Sequence, residues 1–175
     1  MDLEAAKPGV QILHSMQVSH PDNHCATSMR PPPNHPWILA VEDSEPEFYL
    51  LQTFLEEDTN SLPVCRAQDG EQAIHMINEL SEGNQASLPA LVLIDLNLPR
   101  IDGHTVLAHL RSMRVFDKTP VLIVTSSQAA DDRNRALNEG ADAYFVKPMD
   151  LESYSRLRDA IAEAKNARSN TGLNR

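Results

Sequence analysis

Four short apolar runs in this chain each end on a side chain suited to phosphate or metal chemistry. Leu91-Val92-Leu93-Ile94 delivers Asp95, and a proline-broken turn, Leu96-Asn97-Leu98-Pro99-Arg100, follows it. Trp37-Ile38-Leu39-Ala40-Val41 runs into Glu42-Asp43, Val121-Leu122-Ile123-Val124 into Thr125-Ser126, and Ala143-Tyr144-Phe145-Val146 into Lys147-Pro148. Brought to one place, these ends supply carboxylates, a hydroxyl and an ammonium. Crowded carboxylates resist ionisation together unless a cation intervenes or one takes up a proton. Hard oxygen ligands with partial solvent access favour Mg2+, held by Glu42, Asp43 and Asp95 with the backbone carbonyl of Asn97 completing the set. Asp95 is then placed to attack phosphorus and form an acyl phosphate, as carboxylate nucleophiles can. Lys147 would neutralise charge on the phosphoryl oxygens, and the Thr125 hydroxyl would donate to another of them.

The elements that must position these groups are legible as a pattern. From Trp37 to about Ala164, apolar runs of strand length alternate with segments of helical period, five pairs in all. Runs without alternation are buried on both faces, and crossovers through helices force parallel pairing. Right-handed crossovers then bring every strand's C-terminal end to one edge. The expected fold is α/β: a flavodoxin-like, doubly wound five-stranded parallel sheet of order 2-1-3-4-5 with five flanking helices. Its switch point falls between the strands ending at Asp43 and Asp95, where open α/β sheets bind ligands. Ser44 and Glu47 read as a capping box with Pro46 in the first turn. Phe48, Leu51 and Leu55 form a buried stripe. Asp69-Gly70 and Gly103 open helices, the latter with Asp102 as its cap. A helix over about 128–139 stops at Gly140, and the last helix runs from about Leu151, capped by Asp150, to about Ala167.

Composition narrows the function. A formal net charge of −10 in 175 residues argues against sequence-independent binding to nucleic acid or to an anionic membrane. No stretch approaches the length of a membrane span, and the two cysteines, Cys25 and Cys65, show no metal-binding or disulfide-framework spacing. A reducing, cytoplasmic setting fits. Residues 1–35, rich in proline and histidine and without periodicity, read as a disordered N-terminal tail, and 168–175 as a flexible C-terminal tail. So short a C-terminal segment leaves output to protein contact.

With these residues in view, Glu42-Asp43, Asp95-x-Asn97-x-Pro99, Asp102-Gly103, Thr125-Ser126 and Lys147-Pro148 resemble the receiver domain of two-component response regulators over about residues 36–167. The resemblance implies that Asp95 accepts phosphate from a histidine kinase or a phosphotransfer protein. It implies that Glu42, Asp43, Asp95 and the Asn97 carbonyl organise Mg2+, and that Lys147 contacts the phosphoryl group. Thr125 and Tyr144 match the pair whose rearrangement carries the signal, and the Lys147–Pro148 peptide is expected to be cis. The signalling surface, of the fourth helix, fifth strand and fifth helix, would meet a downstream protein target and could form a homodimer. The long loop Ser81 to Pro89, the phrase Asp95-Leu-Asn-Leu-Pro-Arg and Thr125-Ser-Ser are similar to the single-domain regulators that partner phytochromes. Ser126, where Ala or Gly is usual, and Phe145 depart from the common pattern.

Three other readings compete. A receiver-shaped scaffold could signal without phosphorylation, although every phosphorylation residue is present. An aspartyl-phosphate phosphohydrolase needs a second acid two residues after the nucleophile, and Asn97 stands there. A flavodoxin needs a hydroxyl- or glycine-rich phosphate loop after the first strand, where Glu42-Asp43 lies. The phosphoacceptor, not an enzyme with a separate substrate, is the expectation. His75, His104 and His109 lack ligand spacing and are assigned no catalytic role.

Overall fold

The computed structural model describes residues 35–56, 62–83, 88–150 and 152–171. The expected N-terminal tail lies almost wholly outside them, as does Leu151. Among the described residues the chain alternates β1 (Ile38–Val41), α1 (Glu45–Glu56), β2 (Val64–Ala67), α2 (Gly70–Glu82), β3 (Leu91–Ile94), α3 (Gly103–Ser112), β4 (Val121–Thr125), α4 (Ala130–Asn138), β5 (Ala143–Val146) and α5 (Leu157–Thr171). The strands form one sheet in the order β2-β1-β3-β4-β5, every pair parallel, as expected.

Strand alternation divides the core in two. Leu39, Val41, Val92, Ile94, Val121, Ile123 and Tyr144 face α2 and α3, meeting Ala73, Met76, Ile77, Leu80, Val106, Leu107 and Leu110. Ile38, Ala40, Leu91, Leu93, Leu122, Val124 and Phe145 face α1 and α5, meeting Phe48, Leu51, Leu157, Ala160 and Ala164. Each fully buried Leu, Ile or Val contributes about 1.5–3 kcal/mol relative to exposure, so the apolar runs set the sheet firmly. Tyr154 extends the second core by stacking on Phe54, with ring centroids 5.1 Å apart.

Helix ends follow local chemistry, with corrections. The Asp69 carboxylate accepts from the Gln72 N–H at 2.8 Å and that of Asp102 from the Thr105 N–H at 2.7 Å, each capping its helix. Only half of the capping box at α1 forms: Ser44 Oγ accepts from the Glu47 N–H at 3.4 Å, while the Ser44 N–H donates to Glu42. Glu47 is drawn elsewhere, to a charge. The α4 helix begins at Ala130, later than the expected Gln128, because no side chain caps it. Its end is a Schellman motif: Gly140 at φ +102° donates to Leu137 O, and the Ala141 N–H to Ala136 O. Asp150 caps a 3-10 turn over Glu152–Arg156, accepting from the Ser153 N–H at 2.8 Å. The α-helix starts only at Leu157 and runs past Ala167 to Thr171.

Cys65, fully buried in β2, is disulfide-bonded. Nothing in the cysteine spacing pointed to it. No helix among the described residues is long and apolar enough to cross a membrane.

Candidate functional site

Strand register builds the site. Val41 pairs with Ala67 on one side and Ile94 on the other, and Thr125 pairs with Val146. The ladder continues one residue beyond the strands: the Glu42 N–H donates to Ala67 O at 3.0 Å, that of Asp95 to Val41 O at 3.0 Å, and that of Lys147 to Thr125 O at 2.8 Å. Residues far apart in the chain therefore leave the sheet side by side. Gly103 keeps α3 close behind, since a Cβ there would lie 2.1 Å from the Asp95 carbonyl oxygen.

Lys147 Nζ is the centre of the arrangement. It donates to Asp95 Oδ2 at 2.6 Å, to Glu42 Oε2 at 2.7 Å and to Glu47 Oε2. An ammonium has three hydrogens, and each has a carboxylate. Burial by itself would lower the Lys147 pKa, but the charge of Asp95 and the hydrogen bonds to Asp95 and Glu42 outweigh it and hold the group above its ordinary value. Burial pushes the Glu42 carboxyl up, with the Lys147 hydrogen bond opposing. One ammonium facing the carboxylates of Glu42, Glu47 and Asp95 leaves an excess of negative charge, the condition that draws in a cation. Ligand oxygens of those three residues lie within 4.8 Å of one another, an all-oxygen set that fits a hard divalent ion.

A second network flanks Asp95. Its Oδ1 accepts from the Asn97 N–H at 2.9 Å. The Asn97 amide donates to Thr125 Oγ1 at 3.3 Å and Ser126 Oγ at 3.1 Å, and the Ser127 N–H also donates to Thr125 Oγ1 at 3.3 Å. The Tyr144 hydroxyl donates to Ser127 O at 3.1 Å, and burial raises its pKa. The loop after β4 is thus tied to Asp95 through Asn97 and to β5 through Tyr144.

The expected residues fall into three groups. Asp95, Glu42, Lys147 and Thr125 gather at the edge as anticipated. Asp43 is exposed and stands outside the carboxylate cluster; its carbonyl accepts from Arg66 at 2.7 Å. Asn97, expected to act through its carbonyl, is engaged through its N–H and its side-chain amide. The Lys147–Pro148 peptide is trans, correcting the expected cis bond. An X-Pro bond prefers trans by about 0.5–1 kcal/mol, and no cis bond is needed to seat Lys147 on its carboxylates. Glu47 was missed because its spacing read as a cap. Side chains lean toward a helix's N-terminus, so an acid in the first turn of α1 points back to the sheet edge, a signal that was available.

A doubly wound sheet with a buried aspartate, a lysine and a hydroxyl at its C-terminal edge has the form of a receiver domain. Residues 38–161 match the response regulator receiver domain, and the chain belongs to that family. It is a receiver-domain response regulator of two-component signalling. Among curated relatives, the probable methanogenesis regulatory protein FilR2 of Methanothrix harundinacea is 33% identical, the match covering 72% of this chain and 81% of that protein. Response regulator Rcp1 of Synechocystis is 30% identical over 71% of this chain and 84% of its own. Among solved structures, the phosphorylated cyanobacterial phytochrome response regulator RcpA superposes with a TM-score of 0.65 at 31% identity, covering 74% of this chain and 92% of that one. A Mn2+-bound form of Rcp1 gives 0.60 at 28% identity, covering 77% and 92%. The likeness to phytochrome-type regulators therefore extends to structure.

Proposed function

We propose that this protein is a phosphorylation-dependent switch in which Asp95 accepts phosphate from a histidine kinase, with a phytochrome as the favoured sensor, and signals by protein contact. The observation that carries the reading is Asp95, buried at the sheet edge, 2.6 Å from the ammonium of Lys147. A carboxylate oxygen of Asp95 attacks phosphorus; the phosphorus–nitrogen bond of the phosphohistidine breaks, and the imidazole nitrogen keeps the electron pair. Glu42, Asp95, Asp43 and the Asn97 carbonyl would hold Mg2+, which supplies positive charge to the phosphoryl oxygens. Lys147 serves the same oxygens from its own side. Asn97 bears a neutral amide bonded to two hydroxyls, which disfavours a phosphohydrolase needing a general acid there.

The proposed signal starts at Thr125. Drawn to the phosphoryl group, its hydroxyl leaves the Asn97 amide and the Ser127 N–H, so the loop that Tyr144 grips by Ser127 O must move. Driving such a switch from one percent to ninety-nine percent takes about 5.5 kcal/mol, within reach of a few charge-assisted hydrogen bonds. The changed surface is that of α4, β5 and α5, which would meet the output protein or a second copy, in the cytoplasm with the kinase. Likeness to Rcp1 and RcpA supports the sensor, because RcpA is a cyanobacterial phytochrome response regulator.

Intact mass after incubation with Mg2+ and acetyl phosphate tests the reading. One phosphoryl adduct is expected, lost with chelator and lost in Asp95→Asn. No adduct beside a control receiver that is modified would leave a phosphorylation-independent scaffold.

A further inference from the structure

Glu47 belongs to no part of the site that the sequence anticipated, yet it takes one of the three hydrogens of Lys147. The three carboxylates around that ammonium differ in one respect. The side chains of Asp95 and Glu42 are 6% and 4% exposed, whereas that of Glu47 is 46% exposed. Every Lys147 donor is occupied, so an incoming phosphoryl oxygen can reach Lys147 ahead of the new phosphorus–oxygen bond only if one carboxylate withdraws. Asp95 keeps its charge and its hold on Lys147 until that bond forms, and freeing Glu42 would strand a buried carboxylate, which is costly. Glu47 alone can turn into water. Its backbone stays put when it does, because its N–H is held by Ser44 Oγ at 3.4 Å and the neighbouring Phe48 is buried in the core.

We infer that Glu47 is a carboxylate gate on the phosphoacceptor: it holds Lys147 in the resting site and yields that hydrogen bond to the incoming phosphoryl oxygen. This rests on the proposed role of Asp95 and Lys147 and adds a positioning residue to them. The gate carries a second effect. A negative charge on the exposed side of the pocket opposes approach of a small dianionic phosphodonor and slows adventitious modification by metabolic acyl phosphates.

The test compares the full chain with Glu47→Gln and with Glu82→Gln, which removes the same charge at the far end of α2. Phosphorylation by acetyl phosphate is followed by intact mass at low and high salt, and Mg2+ affinity is followed separately through amide NMR shifts of Asp95 and Asn97. Glu47→Gln should accelerate phosphorylation on the order of tenfold at low salt, with the gain shrinking at high salt, as expected for a local charge effect. Each rate is compared at saturating Mg2+ for that variant, so that loss of a carboxylate from the cation-attracting cluster does not enter the comparison, and Glu82→Gln should behave as the parent. A Glu47→Gln rate equal to or below the parent's at saturating Mg2+ overturns the gate. A parent chain that takes up no phosphate removes the phosphoacceptor reading itself; a parent that is modified while Glu47→Gln gains nothing removes only the gate.

Discussion

Glu42 is the residue where function most visibly works against stability. Glu42 is a buried carboxylate beside another, Asp95, and burial holds its pKa up. A carboxyl raised in the folded state stabilises when protonated and loses that contribution as pH rises through its folded pKa. Glu42→Gln removes the buried charge while keeping its shape, and the expected outcome is a higher Tm at pH 7 together with weaker Mg2+ binding, read by thermal denaturation and NMR titration. Lys147 has the same sign for a different reason. Its folded pKa lies above the unfolded value of about 10.4, so its contribution is complete below that pH and is lost as pH rises through the folded value. Urea denaturation at pH 8 and pH 11 should show stability falling in the parent chain, with a shallower fall in Lys147→Met. An equal fall in both would assign the pH dependence to other groups, such as the tyrosines.

At the level of elements, two glycines have defined tasks. Gly103 lets the first turn of α3 press on the strand exit that carries Asp95, and Gly103→Ala forces a shift of that backbone. Overpacking of this kind costs about 1–3 kcal/mol, and phosphorylation by acetyl phosphate should slow along with it. Gly140 closes α4 at positive φ, and Gly140→Ala should cost about 1–2 kcal/mol in urea denaturation without slowing phosphorylation. Elements were read well where one strong local signal decided them. The apolar runs, Asp102 as a cap and Gly140 as a stop all stand, and the structure adds Asp69 as the cap of the helix that Asp69-Gly70 opens. The starts of α4 and α5 were misplaced: α4 has no side-chain cap, and Asp150 caps a 3-10 turn that tertiary packing of Tyr154 interrupts before the α-helix begins.

For the molecule as a whole, a second buried charge cluster ties the end of the sheet opposite the site. Arg111 on α3 donates to Asp142 Oδ2 at 2.9 Å and to Gly140 O at 2.8 Å, and Arg168 on α5 donates to Asp142 Oδ1 at 3.0 Å and to Gly140 O at 3.1 Å. Asp142 Oδ2 also accepts from the Val121 N–H at the start of β4. One carboxylate therefore joins two helices and the last two strands. Asp142→Ala leaves two little-exposed guanidiniums uncompensated and should destabilise by about 3–5 kcal/mol, measured by urea denaturation.

The sequence by itself determined the sheet, its order and four of the groups at its active edge. Continuous apolar runs cannot be satisfied except by burial on both faces, and parallel connections then deliver every strand end to one place. Tertiary structure alone decided which carboxylates share Lys147. Asp43, adjacent to Glu42, is turned to solvent, while Glu47, four positions on in the chain and read as a cap, is drawn in by an ammonium from the far end of the domain. Local patterns register backbone needs within a few residues. They do not register a charge that arrives from a hundred positions away, and that long-range attraction is what set the final geometry of the site.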